Sequence, residues 1–87
     1  MPAESMITPD ILIDQIVRHL ADSPEEVRID SHVTDHTATF NIHVAPEDVG
    51  KVLGRGGKHA WALRDLFNAI YGKHGKRMLL QVVDPRR

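Results

Sequence analysis

The sequence predicts an α+β domain in the order helix, strand, strand, helix, helix, strand, with a three-stranded mixed sheet and its helices packed on one face. Three observations predict it. Apolar residues recur at three and four in residues 13–20 and 60–70, the helical period. They alternate in residues 27–44 and 78–82, the strand period. The crossover from the second strand to the third holds two helices, long enough to bring those strands parallel. At 87 residues there is room for one core, and a chain of this size buries only about 60 % of the surface it exposes unfolded, so every apolar face must be used.

Thr8-Pro9-Asp10 reads as a helix start, with a capping hydroxyl, proline at the first helical position and an acid in the first turn. Ile13, Ile16, Val17 and Leu20 form its buried stripe, and the helix is expected to run to about Asp22, where Ser23-Pro24 stops it. Val27, Ile29, Ser31 and Val33 then alternate with Arg28, Asp30 and His32, predicting a half-buried strand. Thr34-Asp35-His36 supplies a turn, and Ala38, Phe40, Ile42 and Val44 predict a second strand paired antiparallel with the first. Pro46 opens a short helix with Glu47 and Asp48 in its first turn and Val49, Val52 and Leu53 on its buried side, ended by Gly54. Ala60, Leu63, Leu66, Phe67 and Ile70 mark a longer helix that stops near Tyr71-Gly72. After a basic loop, Met78, Leu80 and Val82 form the last strand, ended by Asp84-Pro85. The expected domain covers residues 10–84, with a flexible start at 1–9 and a basic tail at 85–87.

There is no cysteine, so neither a disulfide framework nor a thiolate zinc site is available. The first nine residues lack a basic start followed by an apolar stretch, and no run approaches the roughly 20 apolar residues of a membrane span. A cytoplasmic chain with no membrane contact is the expectation. The net charge of −1 conceals an asymmetry. Residues 1–49 set two cations, Arg18 and Arg28, against ten acids, a net of −8. Residues 50–87 set nine cations against Asp65 and Asp84, a net of +7, enough to attract a polyanion.

Gly54-Arg55-Gly56-Gly57 is the most informative stretch. One glycine, in the left-handed conformation, would end the short helix; Gly56 and Gly57 are left over unless the backbone turns tightly or approaches a ligand. They precede a helix N-terminus, which favours an anion, and Arg55 and Lys58 flank the spot with positive charge. A mononucleotide P-loop fits only at Gly57-Lys58: position 52 is Val where glycine is needed, His59 replaces the magnesium-holding hydroxyl, and the loop follows a helix instead of a strand. A dinucleotide G-x-G-x-x-G loop starts at Gly54 and Gly56 but meets His59 at its last glycine. A G-x-x-G loop between two helices, which clamps about four single-stranded nucleotides by their backbone, agrees in both motif and context.

Val44-Ala45-Pro46-Glu47-Asp48-Val49-Gly50-Lys51-Val52-Leu53-Gly54-Arg55-Gly56-Gly57-Lys58, with Ala60, Ala62, Leu63 and Arg64 after it, resembles the KH signature. The N-terminal helix and hairpin placed before the strand-helix-helix-strand core resemble its type II arrangement, and the chain as a whole is similar to the small single-domain bacterial KH proteins of the KhpA type. The resemblance implies a single-stranded RNA binder, not an enzyme. It further implies an RNA chaperone or post-transcriptional regulator, influencing translation and cell-envelope growth, that pairs with itself or with a KhpB-type KH protein. By position it implies that Gly54 and Gly57 shape the turn, that Arg55 and Gly56 face the RNA backbone, and that Lys51 and Lys58 add phosphate contacts. Bases would lie against a floor made by Val52, Leu53, Ala60, Leu63 and the neighbouring strand.

Trp61, the sole tryptophan, is out of phase with the buried stripe of its helix. It could stack on a base, fill a dimer interface or lie over neighbouring side-chain stems, with Arg64 beside it as a further RNA or partner contact. The competing function is therefore a protein-interaction module using the Trp61 helix face, with residual RNA affinity. Six histidines without cysteine or a fixed histidine–carboxylate spacing give no metal site, and no cofactor or small-molecule substrate is expected. His59 reads as a helix-surface histidine. No serine elbow or nucleophile-and-base arrangement supports catalysis.

Overall fold

A computed structural model describes residues 8–72 and 75–85. Most of the expected flexible start, Lys73 of the basic loop and the two arginines of the tail lie outside the described residues. Helix α1 is Pro9–Leu20, strands β1 and β2 are Arg28–Val33 and Thr37–His43, helices α2 and α3 are Val49–Leu53 and Lys58–Tyr71, and strand β3 is Arg77–Val83. Short 3-10 turns occupy Pro24–Glu26, Pro46–Asp48 and Arg55–Gly57. The expected order and the mixed sheet are both present.

Proline at the first helical position starts α1, but the Thr8 hydroxyl bonds the Asp10 carboxylate and leaves the helical N–H groups uncapped by its side chain. The helix ends at Leu20, two residues before the expected stop, with Ala21 extended. Arg18 explains the early turn. Its guanidinium donates to the Asp14 carboxylate at 2.9 Å, to the Pro24 carbonyl at 2.8 Å and to the Val27 carbonyl at 3.3 Å, drawing the chain back beneath the helix.

The sheet order is β1-β2-β3. β1 and β2 are antiparallel, with Ile29 opposite Ile42, and β2 and β3 are parallel, with Phe40 beside Leu80 and Ile42 beside Val82. The hairpin closes at Thr34, whose N–H donates to the Thr37 carbonyl at 2.8 Å and whose hydroxyl accepts from the Thr37 N–H at 3.0 Å. Ala38, Phe40 and Ile42 face the helices and pack with Ile13 and Val17 of α1, Val49 and Val52 of α2, and Leu63 and Phe67 of α3. The opposite sheet face is polar, and there the His43 imidazole meets the Asp30 carboxylate at 2.7 Å.

Two apolar expectations change. β1 is half-buried only at Ile29; Ser31 is exposed and Val33 is 55 % exposed. The hairpin end borders a hollow of about 310 Å³ lined by Pro9, Val33, Phe40, Tyr71 and Met78 among others. In α3 only Leu63 and Phe67 are buried, while Leu66 and Ile70 are 49 % and 39 % exposed. The helix buries a stripe narrower than its apolar sequence because the sheet beneath it has only three strands.

Asp48, expected in the first turn of the short helix, ends the 3-10 turn just before α2. It is fully buried, and its Oδ2 accepts the Ser23 N–H at 2.9 Å, fastening the turn after α1 to the start of α2. Its Oδ1 is buried with no hydrogen-bond partner. This bond fixes α2, and so the loop that follows, against the first third of the chain.

Candidate nucleic-acid interface

α2 is only five residues long because Gly54 takes φ 78°, ψ 167°, a positive-φ extended conformation essentially confined to glycine. The left-handed conformation expected at Gly54 falls instead at Gly56 (φ 65°, ψ 18°) and Gly57 (φ 78°, ψ 16°). All three glycines are thus required by one reversal between α2 and α3. The Gly57 N–H donates to the Gly54 carbonyl at 3.0 Å and the Lys58 N–H to the Arg55 carbonyl, so the Arg55 and Gly56 N–H groups are the loop donors left for a ligand. Arg55, Gly56 and Lys58 are exposed, at the N-terminal end of a 14-residue helix whose dipole favours an anion.

His59 is a structural part of this loop, beyond the surface role expected for it. Its Nδ1–H donates to the Lys51 carbonyl at 2.9 Å, closing the end of α2 from the next helix. The ring lies against Gly54, where a Cβ would come within 2.6 Å of it. No local pattern announces such a bond, since it joins two elements across the turn.

Lys51 is exposed beside the loop, and its ammonium is paired with Asp22. The Asp22 hydrogen bond and charge, aided by the charges of Asp48 and Glu47, raise its pKa above the ordinary lysine value. A phosphate at Lys51 therefore competes with a carboxylate.

The expected floor is partly relocated. Val52 is fully buried and Leu63 nearly so; both belong to the core and shape the loop from beneath. Ala60 is half-buried. Leu53 does line a cleft, of about 520 Å³, with Val49, Val82, Val83 and Asp84. The strand bordering this cleft is β3, and Val49, Val82 and Val83 are lining residues that the sequence reading did not name as such. The parallel pairing of β2 and β3 was their available signal, because it brings the end of β3 to the place where the chain leaves β2 for α2.

α3 separates two flanks. Trp61, Arg64 and Asn68 fall on one, at helical spacing, and the Asn68 amide bonds both the N–H and the carbonyl of Met78 at 2.9 Å on the outer edge of β3. On the other flank, Ala62 and Leu66 meet Ile16 and Leu20 of α1 around an apolar groove of about 230 Å³ that His59 also lines. Trp61 and Leu66 are therefore not parts of one apolar face. Among the described residues no cluster of histidine and acidic side chains has the geometry of a metal site, and no helix is long and apolar enough to cross a membrane.

The family model described as KhpA/KhpB, KH domain, matches residues 11–82. The protein named RNA-binding protein KhpA of Mycobacterium leprae (strain TN) is 40 % identical over 72 residues, covering 83 % of this chain and 86 % of the relative. Its namesake in Mycobacterium tuberculosis (strain ATCC 25618 / H37Rv) has the same identity and coverage. The RNA-binding protein KhpA of Listeria monocytogenes (strain ATCC BAA-679 / EGD-e) is 38 % identical over 73 residues, covering 84 % of this chain and 96 % of the relative. No solved structure matches the chain.

Proposed function

This chain belongs to the KhpA/KhpB KH-domain family, and from that premise we propose that it binds single-stranded RNA by clamping the sugar-phosphate backbone on the Gly54–Gly57 loop. One observation carries the reading: three positive-φ glycines reverse the chain at the N-terminus of α3 and leave Arg55 and the Arg55 and Gly56 N–H groups exposed. Lys58 adds charge at the same place, and Lys51 adds it on release from Asp22. Unpaired bases then descend into the cleft of Leu53, Val82 and Val83. The protein acts without catalysis, as an RNA chaperone or post-transcriptional regulator in the cytoplasm.

Titration of a fluorescently labelled single-stranded RNA at several salt concentrations tests this reading. Three or four phosphates neutralised by Arg55, Lys58, Lys51 and Arg64 are expected to give a slope of log K against log salt of about −2 to −3. A flat response would remove the phosphate clamp. Asp22→Asn frees Lys51 and is expected to tighten binding about two- to fivefold at low salt, an effect absent in a Lys51→Ala background. Equal affinity of Asp22→Asn and wild type would mean that Lys51 does not reach the RNA.

A second reading concerns assembly, and the exposure of Leu66 beside Ile16 and Leu20 favours it. This groove, on the flank of α3 away from Trp61, is the face we assign to pairing with a second copy or with a KhpB-type KH protein. It is compatible with RNA on the other flank. A dimer would double the contact with RNA and convert weak single-domain binding into avidity.

A further inference from the structure

Resting on the RNA-clamp reading, we propose that Trp61 is a stacking platform for one further unpaired base, outside the nucleotides held by the loop. The indole is 62 % exposed, the most of any large hydrophobic side chain among the described residues, and leaves a wide aromatic face open. Its place on α3 says where that face lies. At 100° per residue Trp61 lies within about 20° of Asn68, and about 140° from Leu66. Asn68 is tied to the Met78 backbone, so the Trp61 flank faces the outer edge of β3, away from the groove shared with α1.

The level along the helix is equally informative. α3 returns through a turn in which the Gly75 N–H donates to the Gly72 carbonyl, so β3 runs back along it. Trp61 stands about 10 Å from Asn68 toward the loop. On β3 that distance is about three residues beyond Met78, level with Gln81 and Val82. Val82 lines the cleft with Leu53. Trp61 is therefore level with the cleft proposed to receive the bases.

The surrounding charges suit a nucleotide. Lys58 three residues before Trp61 and Arg64 three residues after it are its neighbours on the helix surface, against one acid, Asp65. An indole has only two side-chain torsions to fix and offers a flat face to any base, so stacking adds affinity with little sequence preference.

Trp61 is the only tryptophan, so tryptophan emission, excited selectively over that of Tyr71, reports on it alone. The experiment titrates wild type, Trp61→Phe and Trp61→Ala with a single-stranded RNA of mixed sequence, following both RNA anisotropy and tryptophan emission, with light scattering on the free proteins. Emission of the wild type is expected to be quenched at saturation. Trp61→Ala is expected to bind at least about fivefold more weakly, and Trp61→Phe within about twofold of wild type, with unchanged salt slopes because no cation is lost. If Trp61→Ala binds like wild type, or the emission stays constant at saturation while an Arg55→Asp, Gly56→Asp variant loses binding, stacking is overturned and the clamp stands. If the wild type itself does not bind RNA, both fall. If Trp61→Ala lowers the molar mass of the free protein, the indole belongs to a protein interface and stacking is likewise overturned.

Discussion

Replacing Arg55 and Gly56 together by aspartate is expected to weaken binding of a short single-stranded RNA by about 100-fold or more while the circular dichroism stays that of the wild type. The change removes one cation and introduces two anions at the point where the loop offers its N–H groups. That is a swing of three charges against a phosphate in a place open to solvent but within a few ångströms of the ligand. The fold should tolerate it. Arg55 is exposed, a side chain at Gly56 meets nothing within 4 Å, and the Gly56 conformation, φ 65° and ψ 18°, is one that aspartate adopts more readily than most residues, at a cost of about 1 kcal/mol. Anisotropy measured beside circular dichroism checks both halves. Undiminished binding by a folded variant would place the RNA elsewhere and leave the loop without a role in recognition.

Gly54→Ala carries the largest expected loss of stability, about 2–4 kcal/mol. Its φ 78°, ψ 167° lies in a region that a side chain makes costly, and the new methyl would stand 2.6 Å from the His59 ring. The ring cannot retreat without giving up its bond to the Lys51 carbonyl, which would leave the end of α2 open. Gly57→Ala is the internal comparison. Its φ is positive too, but it lies in the milder left-handed region and a side chain there meets nothing, so it should cost only about 1 kcal/mol. Urea unfolding, compared at equal m, measures the difference. Adding His59→Ala to Gly54→Ala should recover the steric part but not the backbone part, a non-additivity expected of residues in contact. Equal losses at Gly54 and Gly57 would mean that the ring does not lock the loop.

The two substitutions separate what the loop presents from what holds it in place. Arg55 and Gly56 are exposed, and their replacement is expected to act on ligand binding. Gly54 and His59 face each other and their replacement acts on the fold. RNA affinity lost through Gly54→Ala should therefore be accompanied by lost stability, whereas that lost through Arg55 and Gly56 should not.

Much of the architecture was legible because it is written in local periods. Alternation at Ala38, Phe40 and Ile42 identifies a strand with one buried face, and recurrence at Ile13 and Val17 or Leu63 and Phe67 identifies a helix, whatever the rest of the chain does. The long crossover implied the parallel pair. The loop was legible for a related reason: three glycines in four residues are unfavourable in a regular element, so the backbone had to leave the helical path there.

What only the tertiary structure decided are the contacts between residues distant in sequence. The exposure of Leu66, the burial of Asp48 against Ser23, the His59 bond to the Lys51 carbonyl and the Lys51–Asp22 pair all depend on which elements come together. The same holds for Trp61. Its phase on the helix can be counted from the sequence, but the Asn68 bridge to Met78 shows which flank faces β3. Backbone periodicity is a local energy and is carried by neighbours along the chain; burial, pairing and the direction of a flank are settled by the packing of the whole, which neighbouring residues do not encode.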